Sequence, residues 1–337
     1  MQHKHGIRFL VIGCGSIGKR HISNLLSLEE KNVLAFDVRP DRRQEVRARL
    51  GIEVLDDLEA AWRTHPDAAV ITAPTSMHLP LAIAAAENGC HMLIEKPISH
   101  SMDGIEDLLS MVERKNLITL VGCNMRFHPG LKQIKKMIEN KAIGKIIAAR
   151  VEFGQYLPDW HPWEDYRYGY SARQELGGGI ILDAIHELDY IRWMLGEIAS
   201  VACIAGRISN LEIDTEDTAA ILLRFVNGAI GEIHMDYVQR TYSRTCHIIG
   251  EGGTIRWDYK TGTVNLYWSE NQDSQSYHTP PDWEPNDMYV EELRHFLTCL
   301  RKEEKPCLDV YQAARVLQLA LAAKESAEKE RFVEVGK

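Results

Sequence analysis

Apolar and polar positions along this chain follow two different grammars. Up to about residue 122, short apolar runs of strand length lie at 8–12, 33–37, 68–73, 91–95 and 118–122. Stretches with helical spacing separate them, at 18–28, 42–50, 58–64, 80–88 and 102–115. The runs are near-continuous in apolar residues, which marks strands covered on both faces. Strand and helix in strict succession predict a doubly wound parallel sheet with right-handed crossovers.

After Gly122 the pattern changes. Helical spacing at 129–140 leads into a strand at 146–153, and a Trp- and Tyr-rich stretch then runs to Arg173. The triple glycine Gly177-Gly178-Gly179 opens a predicted helix that continues to Leu195. Six β-like runs follow, at 200–209, 218–225, 230–237, 244–249, 253–258 and 263–268, punctuated by turns such as Asn227-Gly228. They read as an antiparallel or mixed sheet. The polar, proline-containing segment 271–285 reads as a surface loop, and helices are predicted at 286–301 and 310–329. The change of grammar divides the 337 residues into a domain of 1–122 and a domain of 123–337.

Composition narrows the function classes. The formal net charge is −9, from 39 basic and 48 acidic residues, with no basic block, which argues against nucleic acid as a partner. No apolar run approaches the ~20 residues needed to cross a bilayer, and the N-terminus shows no signal-peptide pattern. The seven cysteines form no C-x-x-C pair and read as reduced thiols, which predicts a cytoplasmic protein. Fourteen scattered histidines show no metal-ligand spacing, so no metal is expected.

The strongest local motif is Gly13-Cys14-Gly15-Ser16-Ile17-Gly18, which follows a predicted strand and opens a predicted helix. Its first two glycines allow a tight turn and close approach of backbone to a pyrophosphate. The third allows close helix–strand packing, and the helix N-terminus supplies oriented N–H donors. Asp37 ends the next strand 19 residues after Gly18, where a carboxylate accepts from ribose hydroxyls and repels a 2′-phosphate. That favours NAD over NADP, although Arg39 and Arg42 nearby keep NADP possible. A second motif, Glu95-Lys96-Pro97, ends another predicted strand, the end at which open α/β sheets bind ligands. A lysine there can hydrogen-bond a substrate hydroxyl.

With these pieces in place the sequence resembles the Gfo/Idh/MocA family (glucose-fructose oxidoreductase, inositol dehydrogenase and relatives), over almost the whole chain. The matching segments are Gly13–Gly18, Ala73-Pro74-Thr75-Ser76-Met77-His78, Ala85 to Gly89 and Glu95-Lys96-Pro97. Further on come Asn124-Met125-Arg126-Phe127, Gly144-Lys145-Ile146, and Gly177-Gly178-Gly179 with Asp183 and His186. The resemblance implies an N-terminal Rossmann domain and a C-terminal α/β domain with a large open, mostly antiparallel sheet. It implies hydride transfer between NAD(P) and a hydroxyl-bearing carbon of a sugar, polyol or sugar derivative. Lys96, Asp183 and His186 would then serve the reacting hydroxyl. The cofactor would be met by Gly13, Gly15, Ser16, Ile17, Gly18, Asp37, Arg39, Ala73, Pro74, Thr75, His78, Glu95, Lys96, Asn124 and Arg126. His78 equally reads as a helix-start residue beside Pro80.

One departure stands out. Family members commonly place the histidine four residues after the aspartate, whereas Asp183 and His186 are three apart. On a continuous helix at about 100° per residue, Asp183, His186 and Asp189 share one stripe of about 120°. Ala184, Leu188, Ile191 and Leu195 would be the buried face.

The stretch 155–173 mixes aromatic rings with hydrogen-bonding groups, which suits sugar recognition. It equally suits an oligomer contact or a lid. Tyr156, Trp163, Arg167 and Arg173 are its substrate candidates, with Arg126 as a positioning residue. Lys96, Arg126, Arg167 and Arg173 together would make a locally cationic cleft and point to an anionic or nucleotide-linked sugar. The resemblance also implies a homodimer or homotetramer, formed through the uncovered face of the second sheet. Two rivals remain: an NAD-dependent glycosidase or epimerase with transient oxidation, and a non-catalytic dinucleotide sensor. Lys96 and His186 in one chain argue against the sensor.

Overall fold

The apolar runs of the first half become a parallel six-stranded sheet. The computed structural model describes residues 6–160, 162 and 164–336. In order come β1 (Phe9–Ile12), α1 (Ser16–Ser27), β2 (Val33–Phe36), α2 (Pro40–Leu50), β3 (Glu53–Leu55) and α3 (Leu58–Trp62). Then follow β4 (Ala68–Ile71), α4 (Thr75–Glu87), β5 (His91–Glu95), α5 (Ile105–Lys115) and β6 (Thr119–Gly122). The strand order is β3-β2-β1-β4-β5-β6, with every pairing parallel. All residues of β1, β2, β4 and β6 are buried, as their unbroken apolar runs require. The order reverses between β1 and β4, so the glycine loop after β1 lies at the switch point of the sheet.

The second sheet is built from α6 (Pro129–Glu139), β7 (Ile146–Gly154), α7 (Ile180–Asp183), α8 (Ile185–Leu195) and a run of strands. These are β8 (Ile198–Gly206), β9 (Thr218–Phe225), β10 (Ile230–Asp236), β11 (Ser243–Gly250), β12 (Gly253–Asp258), β13 (Thr263–Trp268) and β14 (Ser274–His278). Two helices, α9 (Asn286–Leu300) and α10 (Val310–Lys329), precede the short β15 (Val333–Glu334). The order is β14-β13-β12-β11-β7-β10-β9-β8-β15, and among these pairings only β7 with β10 is parallel. Residues alternate cleanly. On β9, Ala219, Ile221, Leu223 and Phe225 are buried while Ala220, Leu222 and Arg224 are exposed. Helices α6, α7 and α8 cover the inner face.

Three expectations are corrected here. The segment read as a loop at 271–285 contributes β14, an edge strand of polar, mostly exposed residues that carry no apolar period. The helix expected from the triple glycine to Leu195 is broken at Ala184, which leaves the helical region (φ −90°, ψ 31°) and separates α7 from α8. The division into 1–122 and 123–337 omits a return of the chain: the compact units are 1–124 with 285–314, and 125–284 with 315–337. Leu293, Phe296 and Leu297 of α9 complete the core formed by Phe9, Val11, Ile22, Leu25, Ala35 and Val70. Reciprocal amide hydrogen bonds between Asn24 and Asn286 (3.2 and 2.9 Å) tie the start of α9 to α1.

Candidate functional site

In the first unit, the glycine loop is closed on one side and open on the other. Gly13 has φ +105°, and a Cβ there would sit 2.7 Å from the Thr72 carbonyl oxygen; a Cβ on Gly18 would collide with the Gly13 carbonyl. At Gly15 the nearest group to such a Cβ is the Arg42 guanidinium at 3.7 Å, so the backbone is approachable there. Helix α1 starts after Gly15 with no side-chain cap and no acidic residue in its first turn. Its N-terminal N–H groups and dipole suit a pyrophosphate. Thr72, which carries no spacing signal, holds the loop by donating to the carbonyls of Gly13 (2.7 Å) and Ile12 (3.1 Å).

Asp37 is buried and works partly on the loop itself. Its Oδ2 accepts from the Cys14 N–H at 2.6 Å and its Oδ1 from the Arg39 N–H at 2.8 Å. Each oxygen keeps a further lone pair for a ribose hydroxyl. Burial, and then the Asp37 charge, push the Cys14 thiol up to about 12, so Cys14 is a packed thiol and no nucleophile. The Arg39 guanidinium turns to Asp41 at the surface, while Arg42 lies 3.8 Å from Asp37. A carboxylate flanked in this way matches the NAD reading of the sequence.

The turns after β4 and β5 are strapped together by His78. Helix α4 begins at Thr75, five residues before Pro80, so Ala73-Pro74-Thr75 forms its entry and Thr75 is buried. His78 is also buried, with Nδ1 2.7 Å from the Pro97 carbonyl and Nε2 2.8 Å from that of Ala73. Burial lowers its pKa against the pull of the two carbonyls. His78 lies in the first turns of α4, and its ring braces the two loops. Glu95 is buried too, and Lys96, half-buried, is the cationic residue that the turn presents. Asn124 is buried at the end of this unit.

In the second unit, Asp183 is met by three hydroxyls: Tyr170 and Ser171 at 2.6 Å and Tyr237 at 3.0 Å. Tyr237 is pushed well above its usual pKa by burial and then by the charge of Asp183. Helix α8 is buried nearly all round, where the sequence predicted one buried face; Glu187 and Asp189 are inside as well. The reason is charge pairing. Arg126 closes on Asp189 through two bonds of 2.8 and 2.6 Å, and Arg244 on Glu187 at 2.8 Å. His186 and Trp193 are the half-buried exceptions on α8.

Of the four basic residues expected to make a cationic cleft, the three arginines are each paired with an acid. Arg126 is clamped to Asp189 and stacked on Trp193, Arg167 is paired with Asp165 and Glu212, and Arg173 lies 3.7 Å from Asp214. Each arginine has folded onto an acid, distant in sequence for Arg126 and Arg173 but only two residues away for Arg167. Tyr156 is covered by the Arg240 guanidinium, 3.6 Å from its ring centroid; Trp163 lies outside the described residues.

A Rossmann switch point carrying an uncapped glycine loop and a ribose-facing carboxylate defines a dinucleotide-binding protein. The comparisons place it further. Residues 7–123 match the oxidoreductase family model with an NAD-binding Rossmann fold, and residues 131–256 match the GFO/IDH/MocA C-terminal domain. The chain belongs to the Gfo/Idh/MocA family of NAD-dependent oxidoreductases. It is 30% identical to a myo-inositol 2-dehydrogenase of Thermotoga maritima, covering 98% of both chains. It is 29% identical to the scyllo-inositol 2-dehydrogenase (NAD(+)) of Bacillus subtilis, covering 96% of this chain and 94% of that one. Among solved structures, a levoglucosan dehydrogenase in complex with NADH and levoglucosan superimposes with a TM-score of 0.89 at 22% identity, covering 98% and 100%. That last likeness speaks for the fold. No helix among the described residues is long and apolar enough to cross a membrane.

Proposed function

We propose that this protein oxidises a secondary hydroxyl of a neutral sugar or polyol, with hydride passing to NAD. The observation that carries the reading is His186, a half-buried side chain on an otherwise nearly closed charged helix, in a chain that also presents Lys96 beside its cofactor motif. His186 takes the hydroxyl proton as general base. Lys96 holds the same oxygen and stabilises its developing negative charge. Asp183, held by Tyr170, Ser171 and Tyr237, fixes the chain ahead of His186. NAD, held at Gly13–Gly18 and Asp37, supplies the hydride acceptor.

The paired state of Arg126, Arg167 and Arg173 favours an uncharged substrate over the anionic one. The named relatives that act on inositols point the same way. A panel of inositols, neutral sugars, sugar acids and nucleotide sugars with NAD and NADP, read by nicotinamide absorbance, tests it. A neutral polyol with NAD is expected to give the highest rate. Asp37→Asn is expected to weaken NAD binding about tenfold or more while sparing NADP, from the loss of a charged hydrogen-bond acceptor. A rate confined to sugar acids, or cofactor retained with no net NADH, would count against it.

We also infer a homo-oligomer joined through the outer face of the second sheet. There Leu222, Ile204 and Ile230 stand exposed among the Arg150–Glu232 ion pair, His234, His247 and Arg256. That face mixes charged and apolar residues. The solution mass is expected at a multiple of 38.3 kDa and falls to one chain in Leu222→Asp. A wild-type chain that sediments as a monomer removes the inference. None of the seven cysteines is in a disulfide, which supports the reading of a reducing, cytoplasmic setting.

A further inference from the structure

Three buried side chains of the first unit meet where no spacing announces them. His21 on α1, Glu95 ending β5 and Glu292 on α9 each bring one side-chain atom within 4.8 Å of the others. His21 Nε2 lies 2.8 Å from Glu95 Oε1, and Glu95 Oε2 accepts the backbone N–H of Lys96 at 3.3 Å. Glu95 is thus the clasp of the turn that carries Lys96. Glu292 is fully buried, and neither of its oxygens has a hydrogen-bond partner among the described residues.

Two carboxyl groups this close inside a protein cannot both stay ionised without a compensating positive charge. His21 is committed to Glu95. Arg20 lies over the Tyr289 ring, one turn before Glu292 on α9, and the Lys96 charge acts on Glu95. The two carboxyls diverge. Burial, with the Glu95 charge, drives Glu292 well up, whereas for Glu95 the His21 hydrogen bond and the charges of His21 and Lys96 overcome burial and lower it.

We propose that Glu292 is held as a neutral carboxylic acid behind an ionised Glu95, and is a positioning residue that fixes, through Glu95, the turn presenting Lys96. The part concerning Lys96 rests on the hydride-transfer reading; the protonation of Glu292 does not. A divalent metal gripped by the same three side chains is the rival occupant.

The test is thermal unfolding of the full-length protein and of Glu292→Gln between about pH 5 and about pH 8, before and after chelation, with metal content measured in parallel. A carboxyl with a raised folded pKa keeps a proton that the unfolded chain sheds. Stability is then lost as pH rises from the ordinary glutamate pKa towards the folded one. Glutamine does not titrate. The variant is expected to match the wild type near pH 5 and to gain on it steadily as pH rises, with the wild type's protonated-carboxyl infrared band absent. A gap that does not change with pH, a wild-type advantage that grows with pH, or one metal per chain lost in the variant overturns the proposal. Should Glu292→Gln not fold, the infrared band of the chelated wild type near pH 8 decides: present, it supports the neutral acid, and absent, it overturns it.

For positioning, Glu292→Leu is expected to lower kcat about tenfold with little change in the KM for NAD, and Glu292→Gln to restore it. Wild-type kcat in the leucine variant overturns that role. Failure of the hydride-transfer reading would show separately, as a wild type that turns nothing over while the unfolding and infrared results stand.

Discussion

Replacing His186 with alanine is expected to lower kcat on the true substrate by about 10²–10⁴-fold, the usual loss when a general base is removed. NADH affinity should be unchanged, because the residues proposed to hold the cofactor are those of the glycine loop and Asp37. Lys96→Ala is expected to lose as much in kcat and to weaken NADH binding as well, since Lys96 follows Glu95 directly in the cofactor-side turn. The double variant carries the sharper information. Two groups that act on one oxygen in one transition state are strongly non-additive, so the pair should lose little more than the worse single. Simple multiplication of the two losses would mean that they serve separate steps. Turnover within about twofold of wild type in both single variants would remove them from the reaction.

The second large effect concerns stability. Asp189→Ala leaves the Arg126 guanidinium buried without its bidentate partner, since both side chains are almost wholly inaccessible at 6% and 1%. Breaking such a pair costs about 3–5 kcal/mol, nearly all of it the penalty of the orphaned charge. Replacing both at once, as Arg126→Met with Asp189→Leu, removes the charge together with its partner and should recover most of that loss. The comparison pair is Arg294–Glu291 on the surface of α9, with side chains 54% and 43% exposed. Water already screens it, and its removal should cost less than about 1 kcal/mol in a urea melt. A single Asp189→Ala as mild as Glu291→Ala would show that water reaches Arg126.

The parts legible in the sequence are those with local causes. Strands covered on both faces write continuous apolar runs, so β1, β2, β4, β5 and β6 could be read directly. The glycine loop is spelled out within six residues. β3 and β15 escape because three and two residues form no period, and β14 because an exposed edge strand needs no apolar side chains. Pro80 drew the start of α4 five residues late, because a proline usually marks a helix start while this one lies inside its helix. At the site, Lys96 and His186 follow from motif and neighbourhood. The partners that decide their surroundings do not: Tyr237 reaches Asp183 from 54 positions away, Asp189 reaches Arg126 from 63, and His21 meets Glu95 across 74. Such pairs are made by topology, which no window of neighbouring residues contains.

The return of α9 into the first unit, followed by residues 315–337 in the second, interleaves the two units along the chain. During synthesis the glycine loop, Asp37 and Lys96 leave the ribosome long before Leu293, Phe296 and Leu297, which finish the core beneath them. At 5–20 residues per second, the interval between residues 124 and 285 is about 8–30 s. For that time the nascent Rossmann sheet exposes the apolar surface that α9 later covers, while residues 125–284 of the second unit emerge and 315–337 are still to come. A shortened chain ending at residue 124 inherits the same exposed patch permanently. Joining 1–124 to 285–314 through a short glycine-rich linker is the division at which the nucleotide-binding half has its whole core.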